Sequence, residues 1–465
     1  MAFKKKLYLL NPKASCFDVI TQYTKREKRK IKVSVESNER YWREALANKL
    51  SGTHLGLWLL IPEYLRLGAW DLLRGLFKDT QRLSAQVGMQ LVNEAALCVN
   101  RKRKRDSLCN QGLSLMNGLS FLATDEYIHE LLDQYTVADY EQLQAVLMKL
   151  RYVQGHYSEQ NILALDPHRI CSSTQRVMPM KKKRPEEPAH KMLQTFFCVD
   201  ALTGQPLAFT IGASGTVCSK ATVQLLELIQ NPRRDILLLA DKEHFTIDIL
   251  DYIQKHPHLN ILMPAPHIKK TTGLFEKLNY QPQWAGYAIA ETTYQFHGQS
   301  NSYHLLVQRL GEAQHNYKYK AFISTTNQAS VEILSQAYPK RWTIEEFFNF
   351  EGDMGWNRAS TFNLNIRYGK QTLALIAQAA EFQFRNKLPK PYSQWTAKHT
   401  AQELFTSMEG DVRIKDDTII VTYYKDHQNL GIQQHYENLP AILEKEGINP
   451  KIPWLFDYKL DFKFK

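Results

Sequence analysis

Two hydrophobic patterns divide this 465-residue chain. From Tyr41 to Leu97 apolar residues recur at steps of three and four with few glycines, which predicts amphipathic helices. Residues 1 to about 155 read as mostly helical on this pattern. Thr124-Asp-Glu-Tyr starts another helix, with Thr124 or Asp125 as its cap. Leu83 to Ala96 fits either a helix-turn-helix hinged at Gly88 or a plain helical hairpin.

Near Asn161 the pattern changes to short, continuous apolar runs. Ile162-Leu-Ala-Leu-Asp166 predicts a buried strand ending in an aspartate, and Asp235-Ile-Leu-Leu-Leu-Ala-Asp241 predicts a second. Between them, Phe196–Asp200 and Pro206–Ile211 read as a hairpin, and Ala221–Ile229 as a helix. A helix over Phe245–Lys255 and a strand over Asn260–Met263 follow. Apolar strands that end in acids imply an α/β sheet covered on both faces, with a site at the strand ends. Residues 268–325 read as added β structure: Trp284–Phe296, Tyr303–Leu310 and Tyr319–Ser324. A helix begins near Ser330, and Thr418–Tyr424 and Lys459–Phe464 alternate like strands. Trp454, Phe456, Phe462 and Phe464 predict a tail docked onto the body, since large apolar rings are costly to leave in water.

Composition adds a partner class. Lys and Arg number 59 against 47 acids, giving a formal charge of +12, and a basic excess favours nucleic acid over anionic membrane. Three basic runs stand out: Lys25–Lys32, Arg101–Arg105 and Lys181–Arg184. Each is either a solvated loop or a set of phosphate contacts. No apolar run reaches the ~18 residues of a membrane span, and the basic start lacks a signal-peptide core, so a cytoplasmic protein is expected. The six cysteines have no CxxC spacing and suit buried thiols in a reducing compartment.

The candidate chemistry lies in three acids. Asp166 and Asp241 each end a strand, where an aspartate either caps the next turn or faces the functional edge of the sheet. In Tyr338-Pro-Lys-Arg341-Trp342-Thr-Ile-Glu345-Glu346-Phe-Phe, helical spacing places Tyr338, Arg341 and Glu345 in a ~60° sector, opposite Ile344, Phe347 and Phe348. An internal Arg341–Glu345 salt bridge is the plainer account. Three carboxylates together suit Mg²⁺, a hard ion that prefers oxygen, with Mn²⁺ as an alternative. Two such ions activate the attacking oxygen and stabilise the leaving oxygen of a phosphodiester, and Arg341 adds a phosphate contact.

These residues resemble the catalytic signature of the DDE transposases of bacterial insertion sequences, in the branch with a Tyr-x2-Arg-x3-Glu-x6-Lys signature. Tyr338, Arg341, Trp342 and Glu345 match its spacing, and Asp166 and Asp241 match the two family aspartates on the first and fourth core strands. The resemblance spans roughly residues 120–390 and implies an RNase H-like catalytic core at 156–267 and 326–390. It also implies a β-rich insertion at 268–325, a helical N-terminal DNA-binding region at 1–155 and a C-terminal α+β extension at 391–465. Asp166, Asp241 and Glu345 would be both catalytic and metal-binding, and Tyr338, Arg341, Trp342 and Trp284 would contact DNA. Relatives stack an insertion tryptophan on a flipped base, and the competing expectation is that Trp284 packs inside its own β unit. The implied partners are double-stranded DNA, as element ends and as target, and a second copy on that DNA. In a bacterium the protein would associate with the nucleoid.

One position departs from the signature. Its lysine falls at Gly352, on the Glu345 face of a continued helix, and Arg358 or Lys370 would have to replace it. The departure keeps a second reading open, a transposase-derived DNA-binding protein without catalysis. A third reading, a host RNase H-like nuclease, lacks a reason for the 268–325 stretch.

Overall fold

The structure is a computed structural model that describes residues 35–47, 49–52, 54–78, 82–99, 112–182, 186–213, 215–229, 235–266, 273–297, 301–326, 328–358, 361–424 and 430–465. It separates into two compact units, Arg151–Phe348 and the combination of Met1–Leu150 with Asn349–Lys465.

The unit Arg151–Phe348 is built on one nine-stranded sheet. Its strands are β1 (Ile162–Cys171), β2 (Met192–Asp200), β3 (Pro206–Ala213), β4 (Ile236–Ala240) and β5 (Leu259–Pro264). They continue with β6 (Gln281–Trp284), β7 (Tyr287–Gln295), β8 (Ser302–Leu310) and β9 (Lys318–Ser324), in the spatial order β3-β2-β1-β4-β5-β9-β8-β7-β6. Helix α1 (Cys218–Ile229) links β3 to β4, and α2 (Ile247–Gln254) links β4 to β5. Strand β1 runs antiparallel to β2 and parallel to β4, and β4 runs parallel to β5. All five residues of β4 and all nine of β2 are buried, as strands covered on both faces must be.

The strands expected as an insertion do form, and they extend the same sheet. β9 pairs with β5 through Phe322↔Pro264, Ile323↔Met263 and Ser324↔Leu262. The expected strand Trp284–Phe296 is two strands. Gly286, at φ 71°, makes a two-residue turn after Ala285 that reverses the chain and sets Trp284 opposite Tyr287. The far edge of the sheet is therefore β6, four exposed residues that include Pro282.

In the other unit, helices Ile61–Leu67, Leu83–Ala96 and Asp125–Asp133 pack with the long helix Leu364–Arg385, and Ala69–Phe77 packs on Leu83–Ala96. Leu83–Ala96 is one unbroken helix, so the hinge at Gly88 is not there. A Cβ on Gly88 would lie 2.6 Å from the Phe77 ring, so the glycine serves close helix packing rather than a bend. Thr124 is the cap of Asp125–Asp133, accepting from the Tyr127 N–H at 3.2 Å. A four-stranded sheet completes the unit: Leu50–Gly52, Gly410–Lys415, Thr418–Tyr423 and Lys459–Phe464.

The C-terminal tail is docked, as its aromatics predicted. Trp454 and Phe462 are fully buried and Phe456 nearly so. Trp454 Nε1 donates to Met116 O at 3.1 Å, and Gln86 Nε2 donates to both Gly118 O (2.9 Å) and Trp454 O (3.0 Å). Gly118 is indispensable to this joint. It has φ 70°, and a Cβ there would fall 2.0 Å from the Trp454 carbonyl oxygen. Gly118→Ala should lower unfolding free energy by roughly 2 kcal/mol or more, read as a shift in urea midpoint at unchanged slope.

Candidate active site

Two of the three acids are neighbours through strand register. The parallel pairing of β1 with β4 ends at Leu165↔Ala240, so Asp166 and Asp241 are the next residues on adjacent strands. Backbones in that relation lie about 4.8 Å apart with side chains on the same face. Asp166 was expected to end its strand. Instead β1 runs on through Pro167 to Cys171, paired only with β2. The reason is directional: Asn161 O accepts from β4, at the Leu237 N–H, so odd-numbered residues of β1 turn their backbone groups to that side. The missing N–H of Pro167 therefore points where β4 has already ended, and no ladder bond is lost.

Asp241 follows β4 and caps the short turn Lys242–His244. Its Oδ1 accepts from the Glu243 N–H at 2.9 Å and meets His244 Nδ1 at 2.9 Å. Asp241 thus caps a turn, the plainer of its two expectations, at the carboxyl end of β4. His244 is 1% exposed. Burial alone would lower its pKa, but hydrogen bonds to Asp241 and Cys218 outweigh that and push it up to about 10. His244 was not foreseen; its spacing three residues after Asp241 was the available signal.

The third acid stands on a distorted helix. Ser330–Glu332 is α-helical, Ile333–Ala337 is a π turn, Tyr338–Trp342 is 3₁₀, and α3 (Thr343–Glu351) resumes the α form. Pro339 has no N–H to donate and its ring crowds the preceding turn, so a regular helix cannot pass through it. The uniform wheel assumed from sequence is therefore replaced by a re-registered one. Its central relation survives, because Arg341 Nη2 meets Glu345 Oε1 at 2.7 Å. The core face is also as expected, with Ile344, Phe347 and Phe348 buried and Glu346 exposed.

Four contacts set α3 against the sheet. Thr343 Oγ1 donates to Ala201 O at 3.0 Å, just after β2. The Phe347 and Phe348 rings lie 5.4 and 5.6 Å from Phe197, and Phe348 lies 4.5 Å from His168. His168 is two residues beyond Asp166 on β1, so Asp166 projects from the face that α3 covers. The Tyr338 hydroxyl reaches Ala240 O, the residue before Asp241, at 3.5 Å.

The acids sense one another. Asp166 is pushed up to about 7, first by burial and then by the charge of Asp241, with Glu345 adding and His244 and Arg341 opposing. For Asp241 burial acts upward, but the His244 bond and charge, the Glu243 N–H and Arg341 carry it below the usual carboxylate range. The donor set fits a hard divalent cation: oxygen ligands only, and one carboxylate that burial and then neighbouring negative charge hold above its usual range. They do not form a ready-made cage. Among the described residues no group of three or more His, Cys, Asp or Glu is disposed to hold a metal ion. Glu345 Oε1 is held by Arg341, and Asp241 Oδ1 by His244. Excess negative charge has been met from within the chain.

The remaining candidates are dispersed. Trp342 is 57% exposed, with the Arg341 guanidinium 5.9 Å from its ring. Trp284 is not packed away as its own unit's core, being 52% exposed while stacked on Tyr287 at 4.2 Å. It borders a cleft of about 450 Å³ with Arg309 and Tyr317. Its strand is five spacings from β4, roughly 24 Å along the sheet, so register does not bring it to the acids. Gly352 is not on a continued helix, since α3 ends at Glu351 and a 3₁₀ turn follows. A Cβ there would fall 2.5 Å from the Asn357 amide, which would have to swing aside for a lysine. Lys370 Nζ is bound to His129 Nε2 at 3.1 Å, and Arg358 is half-buried. The runs Lys25–Lys32 and Arg101–Arg105 lie outside the described residues, as do Lys183 and Arg184.

Asp166 gives a stability prediction. Its pKa is raised from the ordinary 3.8 of an aspartate to about 7, so its stabilising contribution is complete below the lower value and lost as pH rises through the higher. In EDTA, Asp166→Asn should be more stable than the parent at pH 8, by on the order of 2 kcal/mol, and no more stable at pH 4. Thermal melts across that range check it.

Residues 158–378 match a family model described as the transposase DDE domain. No curated protein matches. Among solved structures, the chain is similar to a piggyBac transposase synaptic complex with hairpin DNA, at 12% identity and a TM-score of 0.40, over 75% of this chain and 79% of that one. The family match covers Asp166, Asp241, Glu345 and the Tyr338–Trp342 turn, and it supports a transposase DDE domain in this segment of the chain.

Proposed function

We propose that the protein is a DNA transposase that cleaves DNA at the ends of its element and transfers the resulting 3′-hydroxyl to target DNA. The observation that carries the reading is the register of β1 and β4. It sets Asp166 beside Asp241 inside the segment that matches the transposase DDE domain. The placement of these acids on the first and fourth of five core strands supports an RNase H-like core. The chain contains the groups such a reaction needs. Asp166, Asp241 and Glu345 would hold Mg²⁺ or Mn²⁺, which supplies charge neutralisation at the scissile phosphate and a more acidic attacking water.

The rest is positioning by the chain itself. His244 fixes the orientation of Asp241 and balances its charge. Tyr338, anchored to Ala240 O, holds the distorted turn against the strand end. Arg341 lies beside Glu345, where a guanidinium can exchange a carboxylate oxygen for a phosphate oxygen of the same geometry. Trp342, exposed next to it, offers a face for a base or sugar. The DNA would be double-stranded, and two copies would pair two ends.

A second reading has one observation in its favour: the signature lysine is replaced by Gly352, at a position with little space for a side chain. In that reading the chain binds DNA and does not cut it. Incubating the full chain with Mg²⁺ and duplexes carrying the sequences that flank its gene separates the two. Cleavage that falls by more than about a hundredfold in Asp166→Asn, Asp241→Asn and Glu345→Gln supports the transposase, since losing a direct ligand exceeds the 10–100-fold typical of outer-shell changes. Binding without cleavage in the parent chain selects the second reading.

A further inference from the structure

Beside the acid pair, two cations converge on one carboxylate. Arg169 leaves β1 three residues after Asp166, on the opposite face, and its Nη2 is ion-paired with Glu243 Oε2. Lys181 Nζ approaches the same Oε2 at 3.6 Å. Both cations also meet Gln194 Oε1, Arg169 Nε at 3.1 Å and Lys181 Nζ at 3.4 Å. Gln194 Nε2 in turn donates to Ala213 O at 2.9 Å, which fixes its oxygen toward the cations. The Glu243 N–H is bound to Asp241 Oδ1, so the backbone carrying this carboxylate is tied to the acid pair.

We propose that Arg169 and Lys181 form a clamp for a backbone phosphate of bound DNA, and that Glu243 occupies it as an internal anion when DNA is absent. The inference rests on the transposase reading for the identity of the polyanion. A phosphodiester carries the same single negative charge as Glu243 but presents two free oxygens, one for each cation, where both now share Glu243 Oε2. Arginine pairs with carboxylate and with phosphate through the same planar fork, so the exchange needs no change in its donor geometry. Arg169 is 12% exposed, which locks its direction, while Lys181 and Glu243 are about one-third exposed and open to an incoming ligand. Along β1, Arg169 lies roughly 10 Å from Asp166. That is within the span of a few phosphates, which follow every ~3.4 Å of helix axis along a DNA strand. Lys181 also begins the basic run Lys181–Arg184, which extends the positive charge in sequence.

Binding of the full chain to a fluorescent random-sequence duplex in EDTA, over a salt series, tests the clamp. Glu243→Gln should tighten binding by about three- to tenfold, because the internal competitor is gone. Arg169→Gln and Lys181→Gln should each weaken it and flatten the log K versus log salt slope by about one. In a Lys181→Gln background, Glu243→Gln should gain much less than in the parent. If Glu243→Gln binds no tighter while its melting curve is unchanged, the contact is an internal salt bridge and the clamp is wrong. Equal tightening with and without Lys181 reduces the effect to net charge and also overturns it. Lys181→Gln covers the case in which Arg169→Gln does not fold. Should the parent chain bind no duplex, the clamp falls. Should binding follow the predicted pattern while Asp166→Asn still cleaves, the clamp stands and the catalytic reading falls.

Discussion

Two negative charges forced side by side organise this site. The parallel register of β1 and β4 leaves Asp166 and Asp241 no freedom to separate, because Asp166 lies within β1 and Asp241 directly follows β4. The two acids meet this constraint differently: burial first, and the charge of Asp241 second, raise Asp166 to about 7, while the His244 bond and charge carry Asp241 below the usual carboxylate range. Arg341 plays the corresponding part for Glu345. Much of what surrounds the acids answers this one problem, with Arg341 and His244 balancing their charge from within the chain.

The parts of this arrangement that were legible in sequence are those set by local rules. Unbroken apolar runs ending in aspartate are hard to explain except as covered strands, and Arg341 and Glu345 four residues apart on a helix meet almost by definition. The face of Ile344, Phe347 and Phe348 followed from the same spacing. What stayed hidden depended on partners distant in the chain. Pro167 looks like a strand breaker until β4 is known to stop one residue before Asp241. Pro339 was visible, but the π and 3₁₀ turns it provokes depend on what the flanking segments are anchored to. The pairing of β9 with β5 joins two stretches that sequence reading assigned to different domains, and no periodicity encodes such a pairing. The grouping of Asn349–Lys465 with the N-terminal helices is of the same kind.

Gly352 and His244 teach opposite lessons about motifs. At Gly352 the match fails, and the local geometry gives the failure a cause: the helix has ended and the Asn357 side chain fills the space. At His244 no motif position was invoked, yet a buried imidazole bonded to Asp241 governs that acid's charge. Signature spacing identifies side chains that face a site, whereas the groups that set their protonation are found only through packing.

The outer strand β6 has a consequence for the company the protein keeps. A long sheet that ends in an open strand invites a tenth strand from another chain, and with it uncontrolled polymerisation. Here the final strand is four residues long, carries Pro282, which has no N–H to offer, and pairs with β7 through an irregular register between Tyr287 and Ala288. Such an edge terminates growth, so Trp284 and its neighbours can remain uncovered in solution without acting as a seed for aggregates.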